Sequence, residues 1–211
     1  MQVTLTREGP LFILSMKNGE NRFNTTFIQE INAILDEIEF TIQQENLEQA
    51  ALISIGEGKF YSNGLDLEHA LSTPRFFDDY FLKLLARILT FPIPTVAAIN
   101  GHAFAGGFMF AIAHDYRVMR ADRGFMCMNE VEIPSPLHPG MAAIVRIKTT
   151  PRVYRDCILQ AYRFSGPNAL DQGLADIIAP EKDVLPKAKE LALKWSKLAR
   201  AGAIYRDLKK E

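Results

Sequence analysis

Glu130 is the first residue of this sequence whose surroundings suggest chemistry. It follows an apolar run that ends at Met128, and no Lys or Arg lies within six residues of it on either side. A carboxyl group in apolar surroundings has a raised pKa, which suits a group that must take up a proton and return it. A solvated loop glutamate is the plain alternative. Glu132 remains a second candidate, because periodicity alone does not decide which of the two side chains faces the interior.

A glycine-containing loop, Ser62-Asn63-Gly64-Leu65-Asp66-Leu67, follows a predicted buried strand. At the carboxyl end of a strand, such a loop presents backbone N–H groups where α/β folds bind their ligands. The alternative is an ordinary turn built on Asn63-Gly64, and spacing alone favours that alternative.

A second glycine segment runs from Asn100 to Phe108 and contains Gly106-Gly107. These two glycines begin a predicted apolar helix, whose positive end points at the preceding loop. Small residues also let the backbone approach a ligand closely, so the segment suits the stabilisation of a developing oxyanion. Close packing of the helix against a sheet explains the glycines equally well, and His102 is interpreted as a structural histidine.

These segments lie on strands that alternate with helices, which indicates an α/β domain with mainly parallel pairing. Short apolar or alternating runs predict strands at Val3 to Thr6, Leu11 to Met16, Ala50 to Ile55, Thr95 to Ile99, Tyr116 to Met119, Phe125 to Met128 and Ala175 to Ala179. Apolar residues three or four apart predict helices at 26–44, 77–88, 106–114, 141–148, 153–160 and 184–198. The proline-rich stretch from Val131 to Gly140 is predicted to be a loop. No linker divides the chain, so residues 1–211 are expected to form a single domain.

Composition excludes several classes of function. The chain has 211 residues, of which 48% are hydrophobic and 23% charged, and its net charge of −1 provides no field that would hold a nucleic acid. Two Cys cannot form a disulfide framework, which indicates a reducing, intracellular setting. The four His and two Cys are too scattered for a metal site.

One uncharged segment, Ile88 to His114, is long enough to raise the question of a membrane span. Prolines and glycines interrupt it, so it is not expected to form one lipid-facing helix. Neither end of the chain carries a visible targeting signal. We expect a soluble intracellular protein, and the sequence does not distinguish peroxisome, mitochondrion and cytosol.

The glycine segments and the acid, in this order, resemble the crotonase (enoyl-CoA hydratase/isomerase) superfamily over nearly the whole chain. Ser62 to Leu67 resembles the first oxyanion loop of that family, S-A-G-x-D, and Gly101 to Gly107 resembles its second, N-G-x-A-x-G-G. Asn129-Glu130 is similar to the N-E acid of the family. Asn21 to Asn24 resembles its early N-x-x-N turn.

The resemblance implies a fold, a substrate and a set of roles. The fold would be a crotonase-like spiral of ββα units with a short C-terminal helical region, assembled as a homotrimer or hexamer. The substrate would be an acyl-CoA thioester, so that no separate cofactor is needed because coenzyme A is part of the substrate. The backbone N–H groups of Asn63 and Gly106 would form the oxyanion hole, and Glu130 would be the catalytic acid/base. Substrate contacts would fall on Ser62, Gly64, Leu65, Asp66 and Leu67, with Asp66 chiefly holding the loop.

Met109 decides between reactions within this resemblance. Hydratases of the family carry a second glutamate at that position, and a methionine can neither position nor deprotonate water. A single carboxylate at Glu130 can still shift a double bond, which predicts a Δ3,Δ2-enoyl-CoA isomerase of fatty-acid β-oxidation. Two alternatives stay open: another single-acid reaction such as acyl-CoA hydrolysis or decarboxylation, and a catalytically silent binding or assembly subunit. Pro134 departs from the glycine that many relatives carry after the acid, which predicts a reshaped loop.

Overall fold

A computed structural model describes residues 2–133 and 137–211. Within these ranges the strands are β1 (Val3–Glu8), β2 (Leu11–Met16), β3 (Ala51–Gly56), β4 (Phe60–Ser62), β5 (Thr95–Ile99), β6 (His102–Phe104), β7 (Tyr116–Arg120), β8 (Met126–Cys127) and β9 (Ile177–Ala179). One sheet has the order β1-β2-β3-β5-β7-β9, and a smaller sheet has the order β4-β6-β8. Only the β1–β2 hairpin is antiparallel among the strand pairs described. The predicted α/β class with mainly parallel pairing is confirmed.

Helices follow these strands at regular intervals. Their bounds in the described ranges are α1 (Thr25–Gln44), α2 (Leu67–Ser72), α3 (Leu82–Leu89), α4 (Gly106–Ala113), α5 (Pro139–Lys148), α6 (Pro151–Gln160), α7 (Gly166–Asp171), α8 (Glu181–Trp195) and α9 (Ala203–Leu208). A π-helical segment, Phe77–Phe81, leads into α3, and a 3-10 segment, Ser196–Ala201, precedes α9.

The chain repeats one unit three times. A strand of the large sheet is followed by a strand of the small sheet and then by a helix, as β3-β4-α2, β5-β6-α4 and β7-β8-α5. The strands that follow β3, β5 and β7 in the chain thus pair with one another in the small sheet. This repetition confirms the predicted spiral of ββα units, and it gathers three chain segments at one place.

Apolar burial on both faces holds the large sheet in the interior. All five residues of β5 are buried, as a parallel strand covered on both sides requires. One face packs against the core that includes α1, α3 and α4, and the other packs against α8. Every residue of α4 is buried, so this helix cannot shift without disturbing the core on all sides.

Several predicted bounds differ from the observed ones. The predicted helix over 77–88 is a π-helical segment followed by α3, and the predicted strand Ala175 to Ala179 is reduced to Ile177–Ala179. The predicted loop after Val131 ends early, because α5 begins at Pro139. The sequence did not predict strands β4 and β6 or helix α2. Each of these elements has at most six residues, which is too short for a periodic pattern of apolar residues. Pro134 lies outside the described residues.

No helix in the described ranges is long and apolar enough to cross a membrane. The C-terminal segment is fastened to the sheet by a largely buried ion pair. The Lys209 ammonium donates to the Phe91 and Ile93 carbonyls and, at 2.7 Å, to the Asp115 carboxylate. Asp115 also accepts from the backbone and the hydroxyl of Thr95, at the start of β5.

The Lys209→Met substitution is expected to lower the free energy of unfolding by about 2–4 kcal/mol, because it leaves the Asp115 carboxylate buried without its cation. Lys210→Met is the matched control, since Lys210 makes only an exposed pair with Asp207 and its loss should cost at most about 0.5 kcal/mol. Urea unfolding at neutral pH measures both. Equal stability of the two variants would contradict the role assigned to Lys209.

Candidate active site

The carboxyl ends of the small-sheet strands meet around a cavity of about 460 Å³. The loop after β4, the start of α4 and the turn after β8 all contribute to its wall. Its lining residues are Arg22, Asn63, Leu65, Leu67, Leu71, Phe77, Ala105, Gly106, Met109, Asn129, Glu130, Ile133, Leu137 and Met141. The three segments that the sequence singled out therefore lie at one site.

The loop after β4 is held by the turn at Asn21. The Ser62 hydroxyl donates to the Asn21 carbonyl at 2.7 Å, and the Asn21 side chain donates to the carbonyls of Phe60 and Tyr61. Asn21 is fully buried and has a φ of 53°, so it is fixed in a conformation that few residues other than glycine adopt. The early turn thus serves as the support of the loop.

The amide of Asn63 is not free. Its N–H donates to the Glu20 carbonyl at 2.8 Å, which contradicts the prediction that it forms the oxyanion hole with Gly106. Within residues 2–133 and 137–211 the N–H groups of Leu65 and Gly106 have no acceptor, and both residues line the cavity. The prediction failed because the partner of the Asn63 amide is 43 residues away in the chain, where no local pattern reveals it.

Close backbone packing brings Leu65 and Gly106 together. Gly64 has a φ of 82°, and a Cβ atom there would lie 3.0 Å from the Phe104 carbonyl oxygen. A Cβ on Gly106 would in turn lie 3.0 Å from the Leu65 side chain. Only glycine fits both requirements at position 64, a left-handed conformation and contact with another backbone.

The other predicted substrate contacts divide into two groups. Leu65 and Leu67 line the cavity, whereas Ser62, Gly64 and Asp66 are not among the lining residues and support the loop from behind. The Asp66 carboxylate accepts from the His69 N–H at 3.2 Å and caps α2, in agreement with the structural role expected of it.

Glu130 faces the cavity and Glu132 does not. The Oε2 atom of Glu130 is buried, and we find no hydrogen-bond partner for it in the described part of the chain. Burial raises the pKa of this carboxyl to about 7. Glu132 is exposed and pairs with Arg163 at 3.4 Å. The tertiary structure thus separates the two candidates that the sequence left open.

The remaining wall of the cavity is mostly apolar. Met109 projects from α4 into the lining, so the carboxylate that hydratases carry at this position is replaced by a thioether. Sequence reasoning missed Leu71, Phe77, Leu137 and Met141, because they come from separate elements that only the fold brings together. Asn129 was missed as a separate contributor, although its buried Oδ1 also has no partner among the described residues.

The described residues contain no group of His, Cys, Asp and Glu side chains that could hold a metal ion. The polar groups of the described lining residues include the Leu65 and Gly106 amides, the Asn129 carboxamide, the Glu130 carboxyl group and the Arg22 guanidinium. This arrangement can polarise a carbonyl oxygen and move a proton beside it.

Comparison with known proteins identifies the family of this chain. The sequence profile of the enoyl-CoA hydratase/isomerase family matches residues 10–211. The chain belongs to this family. It is 36% identical over 185 residues to enoyl-CoA delta isomerase 3 of Arabidopsis thaliana, covering 83% of this chain and 76% of that one. The peroxisomal enoyl-CoA delta isomerase 2 of the same plant is 32% identical, over 98% and 90% of the two chains.

A solved structure supports the family fold as well. The probable enoyl-CoA hydratase EchA3 of Mycobacterium tuberculosis superposes with a TM-score of 0.84 at 26% identity, over 100% of this chain and 89% of that one. The names of these relatives include both isomerases and hydratases, so the choice of reaction depends on the site residues.

The Glu130→Gln substitution is expected to stabilise the protein above neutral pH. In the folded protein Glu130 keeps its proton up to about pH 7, whereas the unfolded chain loses it near pH 4.5. The stability that this group contributes is therefore complete below pH 4.5 and falls as the pH rises to 7, by about 3 kcal/mol. Glutamine cannot ionise, so the variant and the wild type should differ by this amount at pH 8 and little at pH 4.5.

Urea unfolding at the two pH values measures the difference, with Glu132→Gln as the matched control. Glu132 is exposed, so its replacement should produce a pH-dependent change below about 0.5 kcal/mol. A wild type that gains stability relative to Glu130→Gln between pH 4.5 and 8 would show that Glu130 is not held in apolar surroundings.

Proposed function

We propose that this chain is a Δ3,Δ2-enoyl-CoA isomerase, which converts 3-enoyl-CoA to 2-trans-enoyl-CoA with Glu130 as its single acid/base. The observation that carries the proposal is that the buried Oε2 atom of Glu130 and the Leu65 and Gly106 amides belong to one apolar cavity. None of these three groups has a hydrogen-bond partner within residues 2–133 and 137–211. The isomerase names of the Arabidopsis relatives support the same assignment.

The Leu65 and Gly106 N–H groups would bind the thioester carbonyl oxygen. Removal of a proton from C2 places negative charge on that oxygen, and each well-placed donor is typically worth about 3 kcal/mol to such a transition state. Gly106 is the first residue of α4, so the positive end of the helix dipole adds to the stabilisation. The first N–H donor of the oxyanion hole is thus assigned to Leu65, and no longer to Asn63 as the sequence suggested.

Ionised Glu130 would take the proton from C2, and the electrons of that C–H bond would spread over C2, C3, C4 and the carbonyl oxygen as a dienolate. The protonated Glu130 would then give the same proton to C4. The double bond moves from C3–C4 to C2–C3, the carboxylate is regenerated, and nothing is added or lost. A pKa of about 7 suits both directions of this transfer, because neither form is strongly favoured at neutral pH.

Met109 favours isomerisation over hydration. Adding water across a double bond needs a second group to orient and deprotonate the water, and the cavity that Glu130 lines is otherwise walled largely by apolar side chains such as Met109, Leu137 and Met141. The same apolar lining would hold the hydrocarbon part of an acyl chain. If the chain instead catalysed acyl-CoA hydrolysis or decarboxylation, or bound its ligand without catalysis, the isomerase assay described below would show no conjugated 2-enoyl product.

The proposed substrate implies the biochemical setting. An isomerase of this kind would act in fatty-acid β-oxidation on acyl-CoA thioesters with a misplaced double bond. It would need no separate cofactor, since coenzyme A arrives with the substrate. In analogy with its family, the chain would assemble as a homotrimer or a hexamer.

Replacing Glu130 by Gln should lower kcat for 3-enoyl-CoA by about 10²–10⁴-fold, because the amide cannot accept the C2 proton. The absorbance of the conjugated 2-enoyl product measures the reaction. Glu132→Gln should keep at least half of the wild-type rate. Full activity of Glu130→Gln, loss of activity in Glu132→Gln, or release of free thiol in place of the conjugated product would each contradict the proposal.

The pH dependence of kcat/KM provides a further test. Glu130 must be ionised to accept a proton, so the rate should rise with pH and reach half of its upper plateau near pH 7. A carboxyl group with its ordinary pKa would place that midpoint near 4.5. A profile that is flat from pH 6 to 8 would show that the base of this reaction is not a carboxyl group whose pKa burial has raised to about 7.

A further inference from the structure

A chain of buried polar side chains runs through the core behind the cavity. The Tyr61 hydroxyl lies 2.7 Å from the Ser54 hydroxyl, and the Ser54 oxygen lies 2.8 Å from Nε2 of His114. Nδ1 of His114 lies 2.8 Å from the Phe110 carbonyl oxygen. All three side chains are fully buried, and none of them lines the cavity. We refer to Tyr61, Ser54 and His114 as the polar relay.

The relay has one arrangement of protons. The Phe110 carbonyl can only accept, so Nδ1 of His114 carries a proton and donates it. Burial lowers the pKa of His114 to about 3, which keeps the ring neutral and makes Nε2 an acceptor. Ser54 therefore donates to His114 and accepts from Tyr61, whose pKa burial raises. Each hydroxyl group of the relay therefore donates one hydrogen bond, and the direction of donation, from Tyr61 through Ser54 to His114, cannot be reversed.

The relay joins the two segments that carry the free amides. Tyr61 lies in β4, directly before the loop that ends at Leu65, and His114 follows α4, which begins at Gly106. Ser54, in the central strand β3, connects them. The same two segments touch at the front, where a Cβ atom on Gly107 would collide with the Ser62 carbonyl group. The loop and the helix are thus fixed to each other from both sides.

Hydrogen bonds suit this position better than apolar contacts do. Apolar contacts have no preferred direction, whereas a chain of hydrogen bonds that satisfies every buried polar atom specifies one spacing between β4 and α4. An oxyanion hole depends on such a spacing, because its donors must lie within a few tenths of an ångström of where the charge develops.

We propose that Tyr61, Ser54 and His114 are positioning residues that set the distance between the Leu65 and Gly106 amides. They act on the chemical step through the backbone and do not touch the substrate. The inference rests on the proposed function, since it assigns the relay to the oxyanion hole of that reaction. Removal of a relay hydroxyl should therefore lower kcat while KM stays nearly unchanged.

Tyr61→Phe and Ser54→Ala test the inference, with Thr95→Val as the matched control. Tyr61→Phe removes one hydroxyl and keeps the ring, so it is the variant that best preserves the core. Thr95 is equally buried and lies at the start of β5, and its hydroxyl bonds twice to Asp115 and to no residue of the polar relay. Thermal unfolding and near-ultraviolet circular dichroism establish that each variant is folded.

In the 3-enoyl-CoA assay we expect kcat to fall about 3–10-fold in Tyr61→Phe and about 10–100-fold in Ser54→Ala, with KM within twofold of the wild type. Thr95→Val should keep kcat within twofold of the wild type, even if its melting temperature falls as much as those of the two relay variants. Relay variants that lose stability but keep the kcat of Thr95→Val would overturn the inference and assign the relay to stability alone.

A spectroscopic measurement separates this inference from the proposed function. A conjugated 2,4-dienoyl-CoA absorbs at longer wavelength when hydrogen bonds polarise its thioester carbonyl group. The wild type and Thr95→Val should therefore cause a larger red shift than Tyr61→Phe and Ser54→Ala at saturating protein. If the wild type shows the shift but does not isomerise 3-enoyl-CoA, the proposed function fails and the relay is still tested. Equal shifts in all four proteins would overturn the relay alone.

Discussion

The site depends on the close approach of two backbone segments, the loop from Ser62 to Leu65 and the start of α4. A Cβ atom on Gly64 would lie 3.0 Å from the Phe104 carbonyl oxygen and 3.1 Å from the side chain of Ala105, and the carbonyl group of Ser62 occupies the space that a side chain would need at Gly107. Backbone atoms cannot move aside as a flexible side chain can, so the contact fixes both segments at once. The two free amides face one cavity as a result.

Two carboxyl groups of this protein, those of Asp115 and Glu130, are both largely removed from solvent but differ in their hydrogen-bond donors. Asp115 accepts hydrogen bonds from Thr95, Tyr205 and Lys209, and its pair with Lys209 fastens the C-terminal segment. Glu130 is buried with no such donor among residues 2–133 and 137–211, and this burial raises its pKa to about 7. The first arrangement stabilises the fold. The second costs stability above neutral pH and leaves a group that can exchange a proton with a ligand.

Polar groups inside the core hold the loop in place from behind. Asn21 binds the backbone on one side of it, and the polar relay fixes β4 against α4 on the other. Each of these groups has its hydrogen bonds satisfied, which distinguishes them from Asn129 and Glu130, whose buried oxygens remain unpaired within the described ranges. Satisfied polar groups thus support the loop, whereas Asn129 and Glu130 line the cavity.

The sequence by itself determined the α/β class, the order of the two glycine segments and the acid, and the methionine at position 109. These features follow from residue type and local period, which a single chain displays directly. Only the tertiary structure decided that Glu130 faces the cavity and Glu132 does not, and that the Asn63 amide is bound to Glu20 while that of Leu65 is free. The physical reason is that burial and hydrogen-bond partners arise from segments many residues apart, so they exist only after the strands have assembled into sheets.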